Sequence, residues 1–289
     1  MRIAHAPSQV ERQPRAVAIG MFDGVHRGHR EVLRAAIDSG LAATVITFDP
    51  HPRAVLGNRV ELIATLERRL ELFAEAGVET TLVASFTTEL MRLSAEDFAA
   101  TYLRAIGADA VAAGCDFRFG RKREGDLALL ERLGFGILPV RQVDGVSSSA
   151  IREAVRSGDV VEAARMLGRP YELDGVVVSG DQRGGTLGYP TANIAQDPTL
   201  LYPADGVYAG FGLGHRAAVS IGTNPHYGGT ERRIEPFLLD FADDLYGRRL
   251  VVEVWEWLRD QAVFESEAAL VDQISRDVEA TRRAVRPKA

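Results

Sequence analysis

The sequence predicts a two-part protein of the α/β plus β class: a doubly wound parallel sheet, then a small closed antiparallel β-barrel with a terminal helix. Three observations carry this. Between residues 16 and about 140, short apolar runs alternate with segments of helical periodicity, the order of a parallel sheet wrapped by crossover helices. Near residue 170 the period changes from 3.6 to 2, so strands replace helices. The chain then closes on a helical stripe, Leu270, Ile274 and Val278. Its 289 residues fit two domains.

The first half is justified element by element. Ala16 to Ile19 reads as a buried strand, and a helix begins near His29 with Val32, Leu33, Ala36 and Ile37 on one face. Ala42 to Phe48 is a second strand. Leu66, Leu70 and Phe73 mark a helix that ends near Gly77, and Thr80 to Ala84 is a strand. Ser94 is a candidate N-cap with Asp97 three residues on, followed by a stripe of Phe98, Tyr102 and Ile106. Asp109 to Ala113 is a strand, Gly125 to Leu133 a helix, and Ile137 to Val140 a strand. Ligands of such sheets bind at the carboxyl ends of the strands.

Past the serine run Ser147 to Ser149, which opens a helix, Gly158 to Gly168 reads as a short helix with a glycine stop. The domain boundary is expected near 168–172, giving modules 1–168 and 169–289. In the second module Leu173 to Val178, Val207 to Leu213, Ala217 to Ile221, Ile234 to Phe241 and Leu250 to Leu258 read as strands. Strands of this number with one helix suggest a small barrel.

Composition narrows the function. A net charge of −6 gives no sign of a general binder of nucleic acid or membrane surfaces. Cys115 is the one cysteine, so no intramolecular disulfide or cysteine metal cluster can form within one chain; it is expected as a small buried filler at a strand end. Met1 to Arg15 has no apolar signal-peptide core, and no run approaches the roughly 18 apolar residues of a membrane span. The chain reads as cytoplasmic. The sequence leaves its oligomeric state open.

Several polar clusters fall at predicted strand ends. The first, Gly20-Met-Phe-Asp-Gly-Val-His-Arg-Gly-His29, lies where a strand turns into a helix. Free N–H groups at a helix start attract anions, glycines let a phosphate approach the backbone, and imidazoles add donors. A capped helix carrying two surface histidines is equally compatible with the residues. This turn contains neither the GxGxxG fingerprint nor a P-loop. Asp49 follows the second strand and Asp116 the strand at 109–113, and each could simply cap a turn. Ser147, Ser148 and Arg152 open a helix, where an N-cap run is the plainer reading.

Two clusters stand out in the second half. Gly180 to Asn193 holds four glycines before Tyr189-Pro-Thr-Ala-Asn193. Thr191 and Asn193 alternate with Ala192 and face one way if extended; oxygen donors of this kind suit Mg²⁺ riding on ATP phosphates. A simple hairpin is the alternative. Glu235 shares a strand phase with Phe237, Leu239 and Phe241. A carboxylate in an apolar phase is either paired with an arginine or functional, and a setting of low polarity would raise its proton affinity toward that of a general base.

These motifs carry a resemblance. G-M-F-D-G-V-H-R-G-H resembles the (H/T)xGH signature of adenylyl-transferring nucleotidyltransferases, in the form used by bacterial bifunctional riboflavin kinase/FAD synthetases. Thr47-Phe-Asp-Pro-His-Pro52, Gly114-Cys-Asp-Phe-Arg-Phe-Gly120 and Val146-Ser-Ser-Ser-Ala-Ile-Arg152 are similar to three further motifs of its FAD synthetase module. Pro190-Thr-Ala-Asn193, Gly206 to Tyr208, Ile221 to Pro225, Ile234 to Phe241 and Asp244 to Gly247 are similar to the riboflavin kinase module. The order of the motifs is the family's order, over roughly residues 16–280.

The resemblance implies a Rossmann-like nucleotidyltransferase sheet, and a bifunctional transferase that phosphorylates riboflavin to FMN and adenylylates FMN to FAD with ATP. It implies ATP contacts for Gly20, Phe22, Asp23, His26, His29, Ser147, Ser148, Arg152, Gly180 and Gly188, and flavin contacts for Asp49, Asp116 and Phe119. Thr191 and Asn193 would hold the Mg²⁺–nucleotide, and Glu235 would be the kinase base. Ser-Ser-Ser stands where the family usually has SST, and His226-Tyr227 where it often has Thr-Phe, which puts flavin affinity at that loop in question. The substrates implied are riboflavin, FMN and ATP, with no nucleic-acid or membrane partner. Two other readings fit less well: an adenylyltransferase for another phosphorylated metabolite, and a non-catalytic flavin carrier or sensor.

Overall fold

A computed structural model describes residues 1–180, 187–223 and 232–288. The chain divides into two compact units, Met1–Val60 with Thr65–Val146, and Glu61–Ala64 with Ser147–Ala289. The expectations for the glycine loop at 181–186 and for His226-Tyr227 lie outside the described residues.

The first unit is a parallel sheet of β1 (Arg2–Ala4), β2 (Arg15–Ile19), β3 (Ala42–Asp49), β4 (Thr80–Ser85), β5 (Ala108–Gly114) and β6 (Gly136–Val140). Their order across the sheet is β1-β4-β3-β2-β5-β6. Strand β1 was not expected, because three residues are too short to show a period. The helices are α1 (Arg27–Ile37), α2 (Pro52–Val55), α3 (Leu66–Ala76), α4 (Thr88–Arg92), α5 (Ala95–Phe98) and α6 (Leu127–Arg132).

Alternation along β2 explains the two-sided core. Ala16 and Ala18 face one apolar cluster with Val32 and Leu33 of α1 and Leu72 and Phe73 of α3. Val17 and Ile19 face the other, with Phe98, Leu103 and Leu130. Such burial on both faces is why the strand reads as a continuous apolar run. The serine cap holds, with Ser94 Oγ accepting the Asp97 N–H at 3.0 Å. The apolar stripe behind it holds as well, with Phe98 and Ile106 buried in one cluster and Tyr102 packed against it, although Ala99–Arg104 is a π-helix. Leu103 therefore enters the core and Tyr102 is left half-buried. Cys115 corrects another expectation: it is exposed, in the turn after β5, where the strand has already left the core.

Chain order reverses direction across the sheet between β2 and β5. Open α/β sheets bind ligands at such a switch point, beyond the carboxyl ends of the strands. Ile19, Asp49 and Gly114 are those ends, and because β2 pairs in parallel with both β3 and β5 they share one edge.

The second unit holds α7 (Ser148–Arg156), α8 (Val160–Leu167), β7 (Tyr171–Val178), β8 (Asn193–Ile194), β9 (Gly206–Gly212), β10 (His215–Gly222), β11 (Arg233–Leu238), β12 (Arg249–Arg259) and α9 (Glu267–Arg283). The strands pair antiparallel in the order β11-β10-β9-β12-β7-β8. The Ala192 N–H donates to the Pro236 carbonyl at 2.9 Å, so the β8 edge meets the β11 edge and the barrel closes. Closure removes the exposed strand edges. Helix α9 is tied to β12 by a two-pronged Arg259–Asp277 ion pair, 2.7 Å at its shortest. Packing places α7 and α8 with the barrel, since the buried side of α8 (Val160, Ala163, Ala164, Leu167) lies against β7 and β12.

Candidate active site

In the first unit the sequence after β2 builds a tight, strained turn. Gly20 donates to the Ile46 carbonyl at 3.1 Å, extending the sheet by one bond. Phe22 and Val25 then take φ of 51° and 41°. A left-handed backbone is rare for a β-branched residue and costs roughly 1–3 kcal/mol. Packing enforces it: Phe22 is 2% and Val25 1% exposed, with the Phe22 ring edge-on to Phe73 and His29. Asp23 is buried between them in sequence.

His26 is the N-cap of α1, its Nδ1 accepting the His29 N–H at 3.2 Å. That acceptor role requires Nδ1 to be unprotonated, so the His26 proton sits on Nε2. The two imidazoles stack with centroids 3.5 Å apart and planes 17° apart. Gly28 makes this possible, since a Cβ there would press on the His26 ring at 3.3 Å. Burial pushes the His29 imidazole well below its ordinary value of 6.5, and the neighbouring His26 and Arg69 push the same way. His29 is therefore neutral at physiological pH. Its Nδ1 is buried without a protein hydrogen-bond partner.

Arg69 is the residue that sequence reading missed. It lies in α3, 1% exposed, and donates to the Met21 carbonyl at 2.7 Å and Thr47 Oγ1 at 3.4 Å. A signal was present: Arg69 falls three residues after Leu66 and four before Phe73, in the apolar stripe. Asp49 ends β3 and is exposed, and its charge, with that of Asp23, acts on Arg69. Asp116 is exposed after β5 and accepts from Gln142 Nε2 at 2.9 Å. Phe119 is 7% exposed, packed on Phe98 and Phe117. Asp49, Asp116 and the His26–His29 turn thus follow strand ends on one edge of the sheet.

Ser147, Ser148 and Arg152 belong to the second unit. Ser147 is the N-cap of α7, Oγ accepting the Ala150 N–H at 3.1 Å, as its plainer reading held. Ser148 is the first helical residue, and Arg152 Nε donates to the Glu61 carbonyl at 2.7 Å.

In the barrel, the Ala192–Pro236 bond sets the Thr191–Asn193 segment beside the strand that carries Glu235. Tyr189 meets Phe237 edge-on at 5.5 Å. Gly180 is required there, because a Cβ would collide with the Asn193 side chain. Gly188 has φ 83°. The phase of Glu235 needs correction. Ile234, Pro236 and Leu238 are the buried residues of β11, whereas Glu235 and Phe237 are half-exposed. Leu239 and Phe241 lie beyond the strand. Glu235 is thus not a carboxylate forced into the core; its claim rests on its place beside Thr191 and Asn193.

Two family models match the chain, FAD synthetase over residues 8–153 and riboflavin kinase over residues 167–285. A bifunctional riboflavin kinase/FMN adenylyltransferase of Listeria monocytogenes is 36% identical, covering 93% of this chain and 91% of that one. This chain belongs to that family. It is a transferase with a kinase domain and an adenylyltransferase domain. The enzyme of the same name from Escherichia coli strain K12 is also 36% identical, over 96% of this chain and 95% of its own length. The fold agrees: a crystal structure of a Streptococcus pneumoniae chain described as a macrolide-efflux protein superposes with TM-score 0.86 at 32% identity, covering 98% of this chain and 99% of that one. Efflux is that protein's description and has no counterpart in the two family models. Among the described residues no helix is long and apolar enough to cross a membrane.

Enzymes of this kind that use ATP generally work with a divalent cation. No group of three or more His, Cys, Asp or Glu able to hold a metal occurs among the described residues. Thr191 and Asn193 offer neutral oxygens, which fit a hard cation already carried by nucleotide phosphates.

Proposed function

We propose that the chain makes FAD from riboflavin in two ATP-dependent steps, with the barrel phosphorylating riboflavin and the His26–His29 turn adenylylating FMN. Residues 1–168 form the adenylyltransferase module and 169–289 the kinase module. The observation that carries this reading is the co-occurrence, in one chain, of a histidine-capped helix at a parallel-sheet switch point and a Thr-Ala-Asn segment bonded beside the Glu235 strand.

In the kinase step, the ribityl 5′-hydroxyl is a poor nucleophile at neutral pH. Glu235 accepts its proton as the oxygen attacks the γ-phosphorus and ADP leaves. Thr191 and Asn193 hold the Mg²⁺–ATP phosphates, with Gly180 and Gly188 giving the backbone room to approach. Mg²⁺, when bound, neutralises phosphate charge.

In the adenylyl step, an FMN phosphate oxygen attacks the α-phosphorus of ATP and pyrophosphate leaves. The nucleophile is already anionic, so no strong base is needed, and the protein's work is positioning and charge stabilisation. His26 and His29, both neutral, each give one N–H donor next to the positive end of α1. Gly20, Phe22 and Asp23 shape the nucleotide side of this turn. Asp49, Asp116 and Phe119 border the flavin. The reading includes a cytoplasmic enzyme that acts on small molecules and needs neither nucleic acid nor membrane.

A time course with riboflavin, ATP and Mg²⁺, resolved by chromatography, tests it. FMN first and FAD later is the expected result. FMN alone would leave the first module serving another substrate. FAD from supplied FMN, with riboflavin untouched, would leave the barrel without kinase activity. No conversion of either flavin would favour a flavin carrier.

A further inference from the structure

The histidine turn rests on a buried cation to which nothing above gives a role in the reaction. Arg69 is among the largest fully buried side chains of the chain. Its Nη1 donates to the Met21 carbonyl at 2.7 Å and to Thr47 Oγ1 at 3.4 Å, and Thr47 Oγ1 donates to the same carbonyl at 3.2 Å. Met21 stands between Gly20, the last residue bonded to the sheet edge, and Phe22, the first left-handed residue of the turn. The backbone is thus clamped where it must bend. Three buried side-chain polar atoms among the described residues have no protein partner; two of them, His29 Nδ1 and Arg69 Nε, belong to this one cluster.

A guanidinium is a costly core filler. Burying one without compensation is unfavourable by several kcal/mol, on the order of the penalty for any buried ion, and a leucine or methionine would fill the stripe of α3 without it. Asp23 from the turn and Asp49 from the end of β3 offset part of that burial. The charged and titratable groups around His29 are then His26 from the helix cap and Arg69 from α3, with Phe22 supplying an apolar edge.

We propose that Arg69 is a positioning residue for adenylyl transfer: it fixes the Met21 carbonyl, and with it the path of the backbone to His26 and His29, while presenting its positive charge beneath the imidazole pair. The proposal rests on the reading of this turn as the adenylyl-transfer site. A cation there disfavours a second proton on His29, so the imidazole meets the nucleotide as a neutral donor. Both bonds come from the one Nη1 nitrogen, so a lysine ammonium that reached this point could make them as well, and any cation at this position exerts the charge effect.

The test compares R69K, R69Q and H29A in the full chain, measuring FMN adenylylation across pH and riboflavin phosphorylation on the same samples. R69Q is expected to lose about 10²-fold in adenylylation kcat, the scale of a small misplacement of catalytic groups, with phosphorylation kept. The acidic limb of its kcat/KM profile should move to higher pH, because His29 has lost the neighbouring cation. R69K should leave the limb in place and retain adenylylation within about tenfold. An R69Q chain with lowered kcat and an unmoved limb overturns the proposal, since lost packing has no reason to shift a titration. If R69Q does not fold, R69K decides: loss of adenylylation as complete as in H29A overturns it. Full adenylylation by H29A would instead remove the reading of this turn as the transfer site. An inactive H29A beside an R69Q that behaves as wild type removes only the role of Arg69.

Discussion

His26 and His29 stack face to face at 3.5 Å, and His26 Nδ1 accepts the backbone N–H of His29. One imidazole therefore does two jobs. It caps α1, and it forms the face against which the second imidazole is held. A proton on His26 Nδ1 would face the His29 N–H and break the cap.

His29→Ala should lower FAD formation by roughly 10²–10³-fold, the effect of removing one preorganised donor, and leave riboflavin phosphorylation intact. Chromatography of both flavins from one reaction reads this directly. Parallel loss of both activities would mean misfolding and would not support the assignment.

The His29 shift makes stability depend on pH with a definite sign. In the folded chain its pKa lies below the ordinary 6.5, chiefly through burial. As pH falls, the unfolded chain takes up the proton first, so unfolding is favoured. This contribution is fully present above 6.5 and is lost as pH falls from 6.5 toward the lower folded value. The urea midpoint should drop between about pH 7 and about pH 5 more steeply in the wild type than in His29→Gln. Equal slopes would reject the assignment.

Glu235→Gln should reduce riboflavin phosphorylation by about 10²–10⁴-fold, the usual worth of a general base, while FMN adenylylation persists. Glu235 is half-exposed on β11, so the amide should fold normally and melting temperature should be nearly unchanged. Unaltered kinase turnover would remove Glu235 as the base.

Gly180→Ala places a methyl group against the Asn193 side chain. The expected outcome is a raised KM for ATP in the kinase reaction, with FMN adenylylation unaffected. A kinase KM equal to wild type would separate Asn193 from nucleotide binding.

Much of this was readable in advance because the signals are local. The apolar run of β2, the Ser94 cap, and the glycine stops at Gly77 and Gly168, whose φ values are 98° and 71°, each depend on a few adjacent residues. The misses have one character. Cys115 is expected as a buried filler at a strand end, but it is exposed just after the strand's last residue. Glu235 was assigned to the buried face of β11, and only the pairing of that strand with β10, Glu235 opposite Ser220, reveals which alternate residues point inward.

Periodicity, turn chemistry and motif spacing are written along the chain, and they suffice for the two-module order, most of the strands and helices, and the family motifs with their candidate residues. Packing in three dimensions is what sets Arg69 against the Met21 carbonyl of the histidine turn, holds His29 neutral, and closes the barrel between Ala192 and Pro236. Arg69 and Met21 are 48 residues apart, and Ala192 and Pro236 lie at opposite ends of the sheet order, with four strands between them. Such pairings, and the low-polarity setting that shifts a titration, arise only when distant segments are packed together and water is excluded between them.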